Sequence, residues 1–220
     1  MSAIRWVTTS SSGEAPSVFS RICTFLVRAS GEGTTLVTSP EGTVVIAEEQ
    51  SEGRGRMGRV WVSPKYANLL ISVVLRPKLE LRGVFPLTMI MAVSVTDALY
   101  DIFGLKAGIK WPNDIYLYGK KLGGILTELS VKGLHVEYAV VGLGLNVNWK
   151  PEDGVDMRYP AVSISDVTGT VIQRDKIVSV ILSRLDSYCR AVSEGRFEVL
   201  YELWCGRSVI LGKSIEVDTG

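Results

Sequence analysis

Residues 53–59 read G-R-G-R-M-G-R and run into Val60 and Trp61. The glycines Gly53, Gly55 and Gly58 let backbone lie against a ligand, and Arg54, Arg56 and Arg59 between them present forked, permanently charged donors. Such a segment suits a phosphate or a carboxylate. Taken alone, it is equally a solvated basic turn or a fragment of an RGG-type RNA-binding tract. Residues 110–114, K-W-P-N-D, crowd Lys110, Asn113 and Asp114 around a proline that fixes a turn at the end of a strand. The plain alternative is a surface turn that Asn113 and Asp114 merely cap. Residues 120–124, K-K-L-G-G, place an ammonium at a strand start, with glycines behind it that let a ligand approach the backbone; two adjacent lysines are otherwise usually solvated. Residues 142–148, G-L-G-L-N-V-N, end an apolar strand with two glycines and two asparagines. Without a third glycine and a following helix this run fails as a dinucleotide fingerprint. It leaves close strand packing, or an amide that reads an adenine edge.

The elements that must position these residues follow from periodicity. Residues 4–7 read as a short strand and 8–13, T-T-S-S-S-G, as a hydroxyl-rich turn that caps a helix or binds a ligand. Val18, Ile22, Phe25, Leu26 and Ala29 share one helical face, predicting a helix from Pro16 to about Ala29. Residues 30–42 read as loop with a brief strand at 35–38, and 43–47 as a buried strand that delivers the chain into the Arg/Gly segment. Residues 69–75 are a second apolar strand. A long helix over 87–103, stopped by Gly104, is apolar around most of its surface and is expected to be central. Residues 108–111, 115–118, 122–129 and 136–141 form an antiparallel meander turning at 118–120 and 131–133. A loop over 151–170 precedes helices ending near Gly195 and Trp204. Residues 208–217 alternate like strands of a further small β unit.

Composition narrows the classes. The chain has 220 residues, 46% hydrophobic and 21% charged, which suits one globular domain with a small appendage. With 24 basic and 23 acidic residues the formal net charge is +1, so no global field draws in nucleic acid and the basic segment is a local device. No apolar run approaches the roughly 20 residues of a membrane span, and no signal-peptide pattern opens the chain, which assigns it to the cytosol. Cys23, Cys189 and Cys205 with the single His135 exclude the usual zinc spacings and disfavour Cys/His catalysis. Packed thiols are expected, with a Cys23–Cys189 bridge left open.

In this order, Gln50, the Arg/Gly segment with Trp61, K-W-P-N-D, K-L-G-G-I-L-T-E and G-L-G-L-N-V-N resemble the catalytic domain of the biotin protein ligases, closely over residues 43–148. The resemblance implies an α+β fold, a mixed and largely antiparallel sheet flanked by helices, related to class II aminoacyl-tRNA synthetase catalytic domains. It implies biotin, ATP and Mg²⁺, a biotinyl-5′-AMP intermediate, and transfer to a lysine of a biotin carboxyl carrier domain of a biotin-dependent carboxylase. Lys121, Arg56 and Asp114 are then the catalytic candidates: Lys121 contacts the biotin carboxylate and α-phosphate, Arg56 adds counter-charge and Asp114 steers the acceptor lysine. The biotin side takes Thr9, Ser10, Ser11, Gln50, Gly53, Arg54, Lys121, Gly124, Gly142 and Gly144. The ATP side takes Arg54, Arg56, Trp61, Lys110, Asn113, Lys121 and Asn146. No protein metal ligands are expected. Arginine, lysine and Mg²⁺ together answer the central difficulty of joining two anions.

The pattern departs where the family carries Ser-Thr-Asn and this chain has Thr9, Ser10 and Ser11. The division expected is a catalytic domain over 1–204 and the start of a small C-terminal β-barrel domain over 205–220. No winged-helix segment precedes Ile4, so a transcriptional repressor role is not expected; the near-neutral charge argues against a nucleic-acid partner and the lack of an apolar span against a membrane. The strand edges after Gly108 predict a homodimer. A lipoyl or octanoyl ligase of the same fold and an inactive homologue are the alternatives.

Overall fold

The computed structural model describes residues 26–28, 39–151 and 160–216. Seven strands form one sheet in the order β1-β2-β3-β7-β6-β5-β4: β1 (Leu26–Arg28), β2 (Val44–Ala47), β3 (Leu69–Leu75), β4 (Gly108–Lys110), β5 (Asp114–Leu117), β6 (Lys120–Lys132) and β7 (His135–Leu145). Only β1 and β2 run parallel; every other neighbouring pair is antiparallel. This is the mixed, largely antiparallel sheet expected, and β4 to β7 form the expected meander. The tight turn at Tyr118-Gly119 has φ of 50° and 75°, the mirror-image geometry that suits the twist of a two-residue hairpin.

Period-2 alternation sorts the sheet into two faces. Leu69, Ile71, Val73 and Leu75 of β3 join Ala139, Val141, Leu143 and Leu145 of β7 in one core. Against that face packs α1 (Phe85–Phe103), with Leu87, Met89, Ile90, Met91, Val93, Val95 and Leu99 buried. Pro86 stands in its first turn and Gly104, at φ 67°, closes it by donating to Tyr100 O. By length and composition alone α1 is sufficient to cross a membrane, contrary to the expectation from apolar runs. Its apolar surface is instead taken up by the sheet and by α3 (Arg174–Ser193) and α4 (Phe197–Arg207), as befits a core helix. Asp97 of α1 accepts from Tyr188 of α3 and Arg207 of α4, tying the three helices together.

Four expectations are corrected. Leu26–Arg28 is a strand, not the end of a helix, because Leu26, Val27 and Arg28 pair with Val44, Val45 and Ile46; at these residues sheet pairing overrides the helical spacing. The β6–β7 turn falls at Gly133-Leu134, since β6 continues to Lys132. The 151–170 loop contains a short helix, α2 (Ile164–Thr168), opened by a reciprocal cap between Ser163 and Asp166. Residues 208–216 form turns and a single bridge from Ser208 to Ile109 rather than strands. The expected elements at 4–7, 16–25 and 35–38, and Cys23 with its possible bridge, lie outside the described residues. Cys189 is buried as a free thiol, and burial pushes it up to about 12.

Candidate active site

The sheet face opposite α1 forms the floor of a cleft of about 760 Å³. Its floor is built from glycine. Gly124 of β6 pairs with Gly144 of β7, and Gly142 pairs with Leu126 on one side and Ser72 on the other. The reason for glycine is clearest at Gly144: a Cβ there would meet the Trp61 indole at 2.5 to 2.8 Å, so only a bare backbone lets the ring lie on the sheet. At Gly142 a Cβ would press on Leu126 O at 3.3 Å.

Lys121 reaches this face through an irregularity of β6. Lys121 pairs with Tyr116 and Gly123 with Ile115, so one extra residue sits in β6 and the register shifts. In an unbroken strand Lys121 and Gly124 would point to opposite faces; the bulge brings them to the same one. A Cβ on Gly124 would lie 3.6 Å from Lys121 Nζ and 3.4 Å from Asp114 Oδ1. The ammonium is 2.7 Å from Asp114 Oδ1, with side chains 24% and 18% exposed, and 6.0 Å from the Trp61 ring centroid. Lys120 is exposed outside the cleft. The backbone of Lys121 is strapped from outside: its N–H donates to Pro160 O, and its carbonyl accepts from Val162 N–H.

Above the floor the Arg/Gly segment is a small hairpin. Arg54 bridges Val60, Gly55 N–H donates to Arg59 O, and Trp61 N–H donates to Gly53 O. Gly53 is buried, and a Cβ on it would fall 2.2 Å from Trp61 O, so this glycine is needed for the hairpin to close. Met57 and Gly58 turn the tip with φ of 57° and 71°. The tip stands clear of the protein, with Met57 84% exposed. Arg56 Nη1 donates to Asn113 Oδ1 at 3.4 Å, and Arg54 lies 3.9 Å from Glu128 Oε1. Both contacts are exposed and easily exchanged for an anionic ligand.

Asn113 is fixed from below, its Nδ2 donating to Ile125 O at 2.7 Å and its carbonyl accepting from Ile125 N–H. Asn146, buried at the end of the trough, donates Nδ2 to Val162 O, and its Oδ1 has no hydrogen-bond partner among the described residues. Of the residues singled out in the sequence, Gln50, Arg54, Arg56, Trp61, Asn113, Asp114, Lys121, Gly124, Gly142, Gly144 and Asn146 line this one cleft. Gly53 acts behind it. Lys110 is not in its wall: it lies over the Tyr116 ring, with Nζ 3.4 Å from Tyr116 Oη. Thr9, Ser10 and Ser11 lie outside the described residues. Sequence reasoning missed Ser72, Glu128 and Ala161, which also line the cleft. Ser72 had a signal, as the one polar residue in L-L-I-S-V-V-L; Ala161 had none. The described residues contain no cluster of three metal-ligating side chains.

Residues 30–146 match the model of the biotin/lipoate A/B protein ligase family. The chain is 36% identical over 182 residues to the bifunctional ligase/repressor BirA of Bacillus subtilis, covering 82% of this chain and 56% of that protein. It is 34% identical to a biotin--[acetyl-CoA-carboxylase] ligase of Paracoccus denitrificans, covering 80% of this chain and 75% of the relative. Among solved structures, a biotin protein ligase of Aquifex aeolicus in complex with biotin and ATP superposes with a TM-score of 0.73 at 29% identity, covering 86% of this chain and 79% of that one.

Proposed function

Because the chain belongs to the biotin protein ligases of the biotin/lipoate A/B protein ligase family, we propose that its cleft joins biotin to ATP and passes the biotinyl group to a lysine of a biotin carboxyl carrier domain. The observation that carries this reading is the placement of Lys121 at the head of a glycine-floored trough, beneath the arginine hairpin.

In the first step a biotin carboxylate oxygen attacks the α-phosphorus of MgATP. An oxygen–phosphorus bond forms, the bond to the β-phosphate oxygen breaks, and pyrophosphate leaves. Both reactants are anions, so the site must supply fixed positive charge where they meet. Lys121 stands there. Arg54 and Arg56, on a hairpin whose surface contacts are weak, close over the product. The thin floor at Gly142 and Gly144 and the Trp61 ring accept the fused rings of biotin, while the buried Asn146 Oδ1 takes the adenine amino group. In the second step the acceptor lysine attacks the acyl carbon, an amide forms and AMP leaves. Asp114, released from Lys121 as that ammonium turns to the ligand, holds the incoming amine and receives its proton. The working assembly proposed is a homodimer.

Mass spectrometry of a biotin acceptor domain incubated with the protein, biotin and MgATP tests the reading. A single biotinyl addition is expected. Transfer of lipoate or octanoate instead would make it a lipoyl-type ligase, and no transfer of any acyl group would overturn the ligase reading.

A further inference from the structure

Arg174 opens α3, where the positive end of the helix dipole disfavours a cation, so its far-end contacts must account for its place. Its Nη1 donates to Asn68 O at 2.9 Å, and its Nη2 lies 2.7 Å from Glu48 Oε2, with the two side chains 18% and 15% exposed. Glu48 is the residue at which the chain leaves β2, and its carbonyl accepts from Tyr66 N–H at 3.0 Å. Asn68 is the residue at which the chain enters β3. One guanidinium therefore spans both feet of segment 49–67, which carries Gln50 and the arginine hairpin.

The same foot holds the far end of the trough. Asn68 is buried, and its Oδ1 accepts from Val147 N–H at 2.9 Å and Trp149 N–H at 3.2 Å. Asn148 N–H donates to Ala67 O at 3.0 Å. The chain immediately beyond Asn146 is thus pinned to the residue that Arg174 grips. None of Glu48, Asn68 and Arg174 lines the cleft.

We infer that Arg174 is a positioning residue which, through Glu48 and Asn68, fixes the arginine hairpin and Asn146 relative to one another, so that the two parts of the site meant for the nucleotide are held in one register. The inference rests on the nucleotide site proposed above. A planar fork is required, since two partners on separate chain segments must be met at once; an ammonium on a flexible stem meets one at a time.

The test uses Arg174→Lys, with Glu48→Gln as a second variant should the first fold poorly and Arg184→Lys as a control at an α3 surface ion pair. In amide hydrogen exchange of the free protein, Tyr66, Val147 and Trp149 are expected to exchange about tenfold faster together, as suits loss of a charged hydrogen bond. Lys121 and Val162 amides are expected to stay as in wild type. In pyrophosphate release, KM for MgATP should rise about tenfold while KM for biotin moves less than about twofold, and the control should match wild type throughout. Uniformly faster exchange across the core, independent changes at the three amides, or an equal rise in both KM values would overturn the inference. If the wild-type protein released no pyrophosphate with any acyl substrate, the proposed function would fall, and the exchange pattern alone would still decide the role of Arg174.

Discussion

Lys121 Nζ stands 2.7 Å from Asp114 Oδ1, so the cation of the trough is held by a carboxylate from the neighbouring strand. The pairing fixes where the ammonium points, and it sets up an exchange: an anionic ligand that takes Lys121 frees Asp114. In a partly buried setting such an exchange is feasible because one anion replaces another around the same charge.

Lys121→Ala is expected to slow adenylate formation by about 10² to 10³, the usual cost of removing one preorganised charge-stabilising group. Lys120→Ala, outside the cleft, is expected to stay near wild type. Pyrophosphate release under single-turnover conditions checks both, and a slow Lys120→Ala beside a normal Lys121→Ala would reverse the assignment.

Gly144→Ala tests the trough floor. Its Cβ would stand 2.5 Å from the nearest atom of the Trp61 ring, so the indole must lift or the strand must shift. Overpacking of this kind costs about 1 to 3 kcal/mol, and biotin binding by calorimetry should weaken tenfold or more, with a changed tryptophan emission. Trp61→Val added to Gly144→Ala should recover part of the floor geometry; unchanged affinity in Gly144→Ala would show that the ring does not bear on the ligand.

The hairpin carries Arg54, Arg56 and Arg59 on exposed backbone, and Arg56 meets Asn113 only at 3.4 Å. Amide exchange over residues 53–59 is expected to slow on addition of biotin and MgATP, with β6 and β7 unaffected. Equal protection with and without ligand would remove the clamp.

Burial first, and then the hydrogen bond to Asp97, pushes the Tyr188 phenol up to about 12 from its ordinary 10. A raised pKa in the fold means the neutral form is favoured there. Its contribution is complete below pH 10, declines as the unfolded chain begins to ionise, and is lost by about pH 12. Urea denaturation between these limits should show stability falling with pH, and Tyr188→Phe should flatten that slope while starting from a lower stability. A slope unchanged in Tyr188→Phe would place the alkaline sensitivity elsewhere.

Much of this was legible in the sequence, for physical reasons that differ by element. L-L-I-S-V-V-L gave β3 because a run that apolar and that short packs in a sheet interior, and Tyr118-Gly119 marked a hairpin because glycine tolerates positive φ. Arg54, Arg56 and Arg59 of the Arg/Gly segment line one cleft with Asp114 and Lys121. The bulge in β6 was not legible. Alternation in the sequence separates Lys120 from Lys121, but only the three-dimensional register carries Lys121 to the side of Gly124. Leu26 misled because its spacing from Ile22 and Ala29 suits a helical face, and pairing with β2 decided for a strand. The cap of α2 was readable in S-I-S-D at 163–166, whereas the strap of Pro160 and Val162 on Lys121 rests on backbone atoms that any sequence possesses.

The hairpin's isolation has a consequence for how such a site diversifies. Its 3₁₀ turn, Arg56–Gly58, buries no residue and Met57 is open to solvent, so substitutions at its tip leave the apolar core as it was. The trough floor has no such latitude, because a side chain at Gly144 collides with Trp61. Substitutions at the tip of the hairpin therefore carry little risk to folding, whereas a side chain at Gly144 calls for a compensating change at Trp61.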